Sequence, residues 1–238
     1  MTRAARNIGI LAGCALGVFI VARLSNPGDA DVASGNTVRP ADVPAIRAKA
    51  EQGDAQAETQ LGRLYAQGHG VPHDYGEAAR WYRRAADQGD ADAQTALGEL
   101  YEVGQGVAQG PADAAKWYRL AAAQGNAKAQ YNLGVMCEFG RGVPKDQAQA
   151  AKWFRQAADR GDALAQFNLG QRCDLGIGVP ADRIEACKWL SLAAAQGLAD
   201  ADGACARVKS KMSHAEISEA KRRVAAFVSQ KTAHSLAR

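Results

Sequence analysis

The sequence predicts an all-α protein, a solenoid of stacked helical hairpins. Three observations carry this reading. Gly62, Gly98, Gly134 and Gly170 stand 36 residues apart, and so do Trp81, Trp117, Trp153 and Trp189. A Gly-x-Gly-Val loop recurs at residues 68–71, 104–107, 140–143 and 176–179. The segments between these marks carry apolar residues at helical spacing, as Ala57, Leu61, Leu64 and Tyr65 do in the first unit.

The 238-residue chain opens with Arg3 and Arg6 ahead of an apolar run at residues 8–22, closed by Arg23. Residues 1–24 read as an export signal that is cleaved, as a short membrane anchor that is kept, or as an ordinary buried helix. As a helix the run spans about 22 Å at roughly 1.5 Å per residue, against about 30 Å of hydrocarbon. It is marginal as a permanent span, although Leu24 and snorkelling arginines extend it. Leu11-Ala12-Gly13-Cys14 resembles the lipobox of bacterial lipoproteins, but the chain stays apolar after Cys14, so the cysteine reads by default as one more apolar residue of the signal. Residues 25–42 are rich in Asn, Pro, Gly, Asp and Ser, lack any period and read as a flexible linker.

Residues 43–53 then form a half-unit helix covering the first hairpin. In repeat 1 (residues 54–89) the first helix ends at the Gly68 loop. Asp74 caps the second helix, with Glu77 placed to close a capping box, and Gly89 ends it. Repeats 2, 3 and 4 occupy residues 90–125, 126–161 and 162–197. In repeat 2, Pro111 falls at the first helical position, where no amide bond is lost. A glycine inside a helix costs about 1 kcal/mol relative to alanine. Four copies at one slot therefore imply a close neighbour, and the inward-facing tryptophan of the second helix is the expected one. Past residue 197 the pattern degrades, with Cys205 in the slot of Leu169. Residues 198–228 read as a helical cap, Ser213 and Glu216 giving a capping-box signature, and residues 229–238 as a flexible tail.

The units resemble Sel1-like repeats, relatives of the tetratricopeptide repeat with a longer loop inside the hairpin. The best match runs Ala129-Gln130-Tyr131-Asn132-Leu133-Gly134, then Gly140-Arg141-Gly142-Val143-Pro144-Lys145-Asp146, then Ala151-Lys152-Trp153-Phe154. The resemblance covers about residues 52–197. It implies a right-handed superhelix of antiparallel helix pairs, first helices lining the concave face, and a role as an interaction scaffold. In bacteria, similar proteins are often periplasmic or envelope-associated, and some relatives are secreted and rich in disulfides. Arg172 departs from the pattern, in a slot filled by Leu64, Leu100 and Met136, and Cys137 and Cys173 stand where Tyr65 and Tyr101 do.

No catalytic constellation is legible. The chain has no GxxxxGK, CxxC or HExxH, and the loop glycines lack the preceding strand that a nucleotide loop needs. His69 and His73 alone make an incomplete metal site, so neither cofactor nor metal is expected. A net charge of +4 is too mild to argue for nucleic acid. After cleavage of the N-terminal segment four cysteines remain. Antiparallel pairing makes a Cys173–Cys187 bridge conceivable, and buried free thiols are the plainer reading.

Under the concave-face assignment, the slots that vary from unit to unit present Arg63 in the first unit, Glu99 and Glu102 in the second, Tyr131, Val135 and Glu138 in the third, and Phe167, Gln171 and Asp174 in the fourth. Acid beside aromatic anchors suits a peptide segment bearing lysine or arginine; the other reading is that Tyr131 and Phe167 fill between hairpins. The expected function is a non-enzymatic protein–protein interaction scaffold or adaptor of the bacterial envelope, periplasmic or held at the inner membrane. A hydrolase of envelope material, or an oligomeric spacer between membrane components, are the alternatives, and the oligomeric state stays open.

Overall fold

The computed structural model describes residues 40–236. The signal or anchor at residues 1–24, and all but the end of the linker, lie outside the described residues. A short 3-10 turn, Pro40–Asp42, leads into eleven helices: α1 Val43–Glu51, α2 Ala55–Gln67, α3 Tyr75–Asp87, α4 Ala91–Val103, α5 Pro111–Ala123, α6 Ala127–Phe139, α7 Gln147–Arg160, α8 Ala163–Leu175, α9 Arg183–Ala195, α10 Ala199–Lys209 and α11 His214–Leu236. There is no strand among the described residues. From α1 to α10 each helix packs on the next, so α2/α3, α4/α5, α6/α7 and α8/α9 are the four hairpins, with α1 laid on α2 and α11 turned back onto α9.

The helix ends follow from local chemistry. Asp54, Asp90, Asn126 and Asp162 each accept a hydrogen bond from the amide three residues on, at 2.7–3.0 Å, and start the first helices. Gly68, Gly104, Gly140 and Gly176 end them in the left-handed conformation. Asp74 caps α3 through Gly76 N and Glu77 N, but Glu77 turns to Arg80 at 3.0 Å. The full reciprocal box forms at Ser213 and Glu216 instead, at the start of α11.

The glycine slot meets an aromatic ring in three units and a leucine in the fourth, and in none the indole. A Cβ at Gly62 would lie 2.7 Å from the Tyr82 ring; at Gly98, 2.6 Å from Tyr118; at Gly134, 2.7 Å from Phe154; and at Gly170, 2.7 Å from Leu190. The occupant is thus the residue after each tryptophan. Successive helical residues point about 100° apart, so when Tyr82 faces its own first helix, Trp81 faces elsewhere. Trp81 packs with Val43, Ala50, Leu61 and Leu64, at the seam with the preceding helix α1. Trp117 lies against the α3/α4 cluster. Trp153 bridges two clusters, and Trp189 is fully buried beneath Phe227 of α11, ring centroids 5.4 Å apart. Trp117 and Trp153 are half-buried.

The second loop glycine has a separate task. Cβ atoms at Gly106, Gly142 and Gly178 would fall 2.0–2.3 Å from the backbone of Tyr75, Pro111 and Gln147, each at the start of the preceding unit's second helix. The loop therefore seats backbone on backbone between units. The cap departs from the expected tail. α11 runs on to Leu236, and Lys231 rests over the Phe227 ring, 5.9 Å from its centroid.

Candidate functional site

The candidate face is built by α2, α4, α6 and α8. Counting from each glycine, the residue after it gives the row Arg63, Glu99, Val135 and Gln171. Arg63 is exposed and the other three are half-buried. Six residues before the glycine, Gln56, Asp92 and Lys128 are exposed. The row three residues before the glycine is different. Thr59, Thr95 and Phe167 are all buried, and Tyr131 packs on Phe154 with ring centroids 5.7 Å apart. Phe167 belongs to the core, so it fills between hairpins and is not a surface anchor. Burial pushes the Tyr131 phenol up to about 12.

Glu99, Glu102, Glu138 and Asp174 are each engaged by a cation about one repeat further along. Glu99 pairs with Lys128 at 2.6 Å, Glu102 with Arg141 at 3.0 Å, Glu138 with Arg172 at 2.7 Å and Asp174 with Lys211 at 4.0 Å. Glu102 also accepts from the Tyr118 hydroxyl at 3.0 Å. Three of the pairs keep a well-exposed base and contribute at most about 1 kcal/mol. The Glu138–Arg172 pair is buried. Arg172 also donates to Gln147 at 2.9 Å and sits 5.0 Å from the Phe154 ring centroid. The departure of Arg172 from its apolar slot is thus answered by Glu138, and Glu138 is withdrawn from the surface.

The cysteines also rearrange. Cys137, Cys173, Cys187 and Cys205 are all buried free thiols, and Cys173 is not bridged to Cys187. Cys187 lies beside Cys205 of α10 instead, because this face of α9 is covered by the cap. His69 and His73 are exposed, His73 set edge-on to Tyr75, and no group of three metal-ligating side chains exists among the described residues. Among the described residues, no helix is long and apolar enough to cross a membrane.

A row of four first helices carrying variable surface residues over an invariant packing register defines a helical-repeat protein. Sel1 repeats match residues 55–90, 91–126, 127–162 and 163–198, one residue later than the boundaries expected from the sequence. The chain belongs to the Sel1 repeat family and is a right-handed α-solenoid. It is similar to c5321, a protective antigen of uropathogenic Escherichia coli strains with an SLR fold, at 33% identity and a TM-score of 0.70, over 78% of this chain and 41% of that one. It is also similar to a Sel1 repeat protein from Oxalobacter formigenes, at 37% identity and a TM-score of 0.65, over 70% of this chain and 48% of that one. The chain thus spans less than half the length of these two relatives. No curated protein matches it. Sel1 repeat proteins are generally protein-interaction scaffolds.

Proposed function

We propose that this protein is a non-enzymatic scaffold of the bacterial cell envelope that holds a partner protein against the α2/α4/α6/α8 face. One observation carries the reading. Arg63, Glu99, Val135 and Gln171 occupy one surface row, one per unit, and differ in charge and polarity while the glycine and aromatic slots beneath them recur. Packing does not dictate that row, which leaves it to recognition. Glu99, Glu102, Glu138 and Asp174 each already hold a cation, which favours binding over hydrolysis.

A basic partner segment fits this face by exchange. Lys128, with 63% of its side chain exposed, and Arg141, with 48%, are weakly held at Glu99 and Glu102. An incoming lysine or arginine replaces them at little cost. The envelope assignment rests on Arg3, Arg6 and the apolar run at residues 8–22.

The test inverts the charge of the face without removing its ion pair. Glu99→Lys with Lys128→Glu, combined with Arg63→Glu, leaves the melting temperature unchanged and abolishes recovery of the partner that crosslinks to the unaltered chain in cells. Undiminished recovery refutes the face. Cell fractionation, with intact-mass analysis of the mature chain, tests the envelope assignment; a full-length soluble cytoplasmic protein refutes it.

A further inference from the structure

Two buried cysteines meet where the fourth repeat joins the cap. Cys187 of α9 and Cys205 of α10 are 2% and 4% exposed, and their sulfurs lie 3.9 Å apart. The pair occupies a register that recurs 18 residues apart through the array. Elsewhere that register holds alanine and leucine: Ala79 with Leu97, Ala115 with Leu133, Ala151 with Leu169. Both members become cysteine at this one junction. Packing alone gives no reason for the double change, since two thiols fill less space than an alanine and a leucine.

The surroundings favour thiol chemistry. Ser191 stands where the other units have Arg83, Arg119 and Arg155, and its hydroxyl oxygen lies 3.2 Å from the Cys205 sulfur. The hydrogen bond with Cys187 pulls the Cys205 thiol below its ordinary range, and Ser191 and Lys209 act in the same direction against burial. That same hydrogen bond, with burial, pushes Cys187 up. Two thiols in contact, with a hydroxyl beside them, are placed to close a disulfide once an oxidant reaches either one.

We infer that Cys187 and Cys205 form a disulfide that fastens α10 and α11 to the fourth repeat. The oxidant is a disulfide, R–S–S–R, of a small thiol or an oxidising protein. With the cap open, Cys205 loses its proton and attacks one sulfur as the thiolate, expelling RS⁻, which takes up that proton. Cys187 then loses its proton and attacks Cys205 in the mixed disulfide, expelling the second RS⁻, which is protonated in turn. Two protein thiols are oxidised by two electrons and one disulfide is reduced to two R–SH. The new bond needs a separation of about 2.05 Å, so the sulfurs close by roughly 1.9 Å through side-chain rotation and a small shift of α10. Because both cysteines are buried, exchange takes place while the cap is open, during folding or local opening of α10. That helix starts at Leu198 without a side-chain cap. Cys173, buried on α8 and not bridged to Cys187, stays reduced.

The full chain is unfolded, refolded in a glutathione/glutathione-disulfide buffer, alkylated and mapped by mass spectrometry. One predominant linked pair of peptides is expected, Cys187 to Cys205, about two mass units below the reduced sum, with Cys137 and Cys173 alkylated. The oxidised chain melts about 6–12 °C above the reduced one. Cys173→Ser keeps the link and the gain. Cys187→Ala loses both; any packing defect it introduces lowers melting equally in oxidising and reducing buffer, so the difference between the buffers still reads the bond. Full alkylation of Cys187 and Cys205 after oxidative refolding overturns the inference, and so does a bond from Cys187 to Cys173.

Discussion

Replacing Arg172 by methionine, the residue its slot holds at Met136, ought to improve a repeat if apolar packing were all that mattered. The opposite is expected. Arg172 has 4% and Glu138 11% of its side chain exposed, and their 2.7 Å contact is the buried ion pair of the candidate face. Removing the cation leaves a carboxylate buried without its partner, at a cost of about 3–5 kcal/mol. The lower end applies, since Glu138 keeps some access to water. For a chain of this size about 3 kcal/mol lowers the melting temperature by about 6–12 °C. Arg172→Met with Glu138→Ala removes both charges and gives the slots the side chains of Met136 and Ala66. That double variant lies within about 1 kcal/mol of the unaltered protein, for a coupling of about 2 kcal/mol or more. Thermal and urea melts followed by circular dichroism measure all four corners of the cycle. A neutral or stabilising Arg172→Met, or a double variant as unstable as the sum of the singles, refutes the reasoning.

Gly134→Ala sets a gain of about 1 kcal/mol in helix propensity against overpacking of about 1–3 kcal/mol on the Phe154 ring, 2.7 Å away, so it destabilises by about 1 kcal/mol. In a Phe154→Ala background the ring is gone and the same substitution stabilises, a sign reversal readable by urea melts. Alkaline stability follows the buried phenols. An unfolded tyrosine ionises near 10, whereas burial holds Tyr131 to about 12 and also raises Tyr82 and Tyr118. The contribution is whole below pH 10. Above it the unfolded chain sheds a proton that the folded chain keeps, so stability falls as the pH rises through 12. Tyr131→Phe makes that fall shallower between pH 10 and 12, as melts across the range show.

The solenoid was legible because a 36-residue period survives in residues whose size matters to packing, the glycines and the aromatic rings. Which ring meets which glycine was not. Trp81 and Tyr82 recur with the same period, and periodicity cannot assign adjacent residues to opposite sides of a helix. The face was legible as a set of variable slots, but the pairing of its acids was not. Counting the acids of the first helices ignores bases one repeat later, and the shift that aligned the glycines also brings Arg172 near Glu138 and Lys211 near Asp174. Buried amides escaped notice for a similar reason. Gln94, Gln130 and Gln166 carry no apolar signal, yet they are buried and each donates to a backbone carbonyl at the end of the preceding helix, at 3.1–3.2 Å. Cys205 was seen only as a failing of the leucine slot, because its partner lies half a period away, at the turn between hairpins.

The claim that the first-helix face carries recognition is tested most directly by site-specific photocrosslinking in the source bacterium. A photoreactive residue replaces Arg63 or Lys128 on the first helices, or Lys116 or Lys152, which are exposed on the second helices. The account predicts one and the same protein adduct from Arg63 and Lys128 and none from Lys116 or Lys152. Adducts of equal yield from both sets, or from the second helices alone, contradict it.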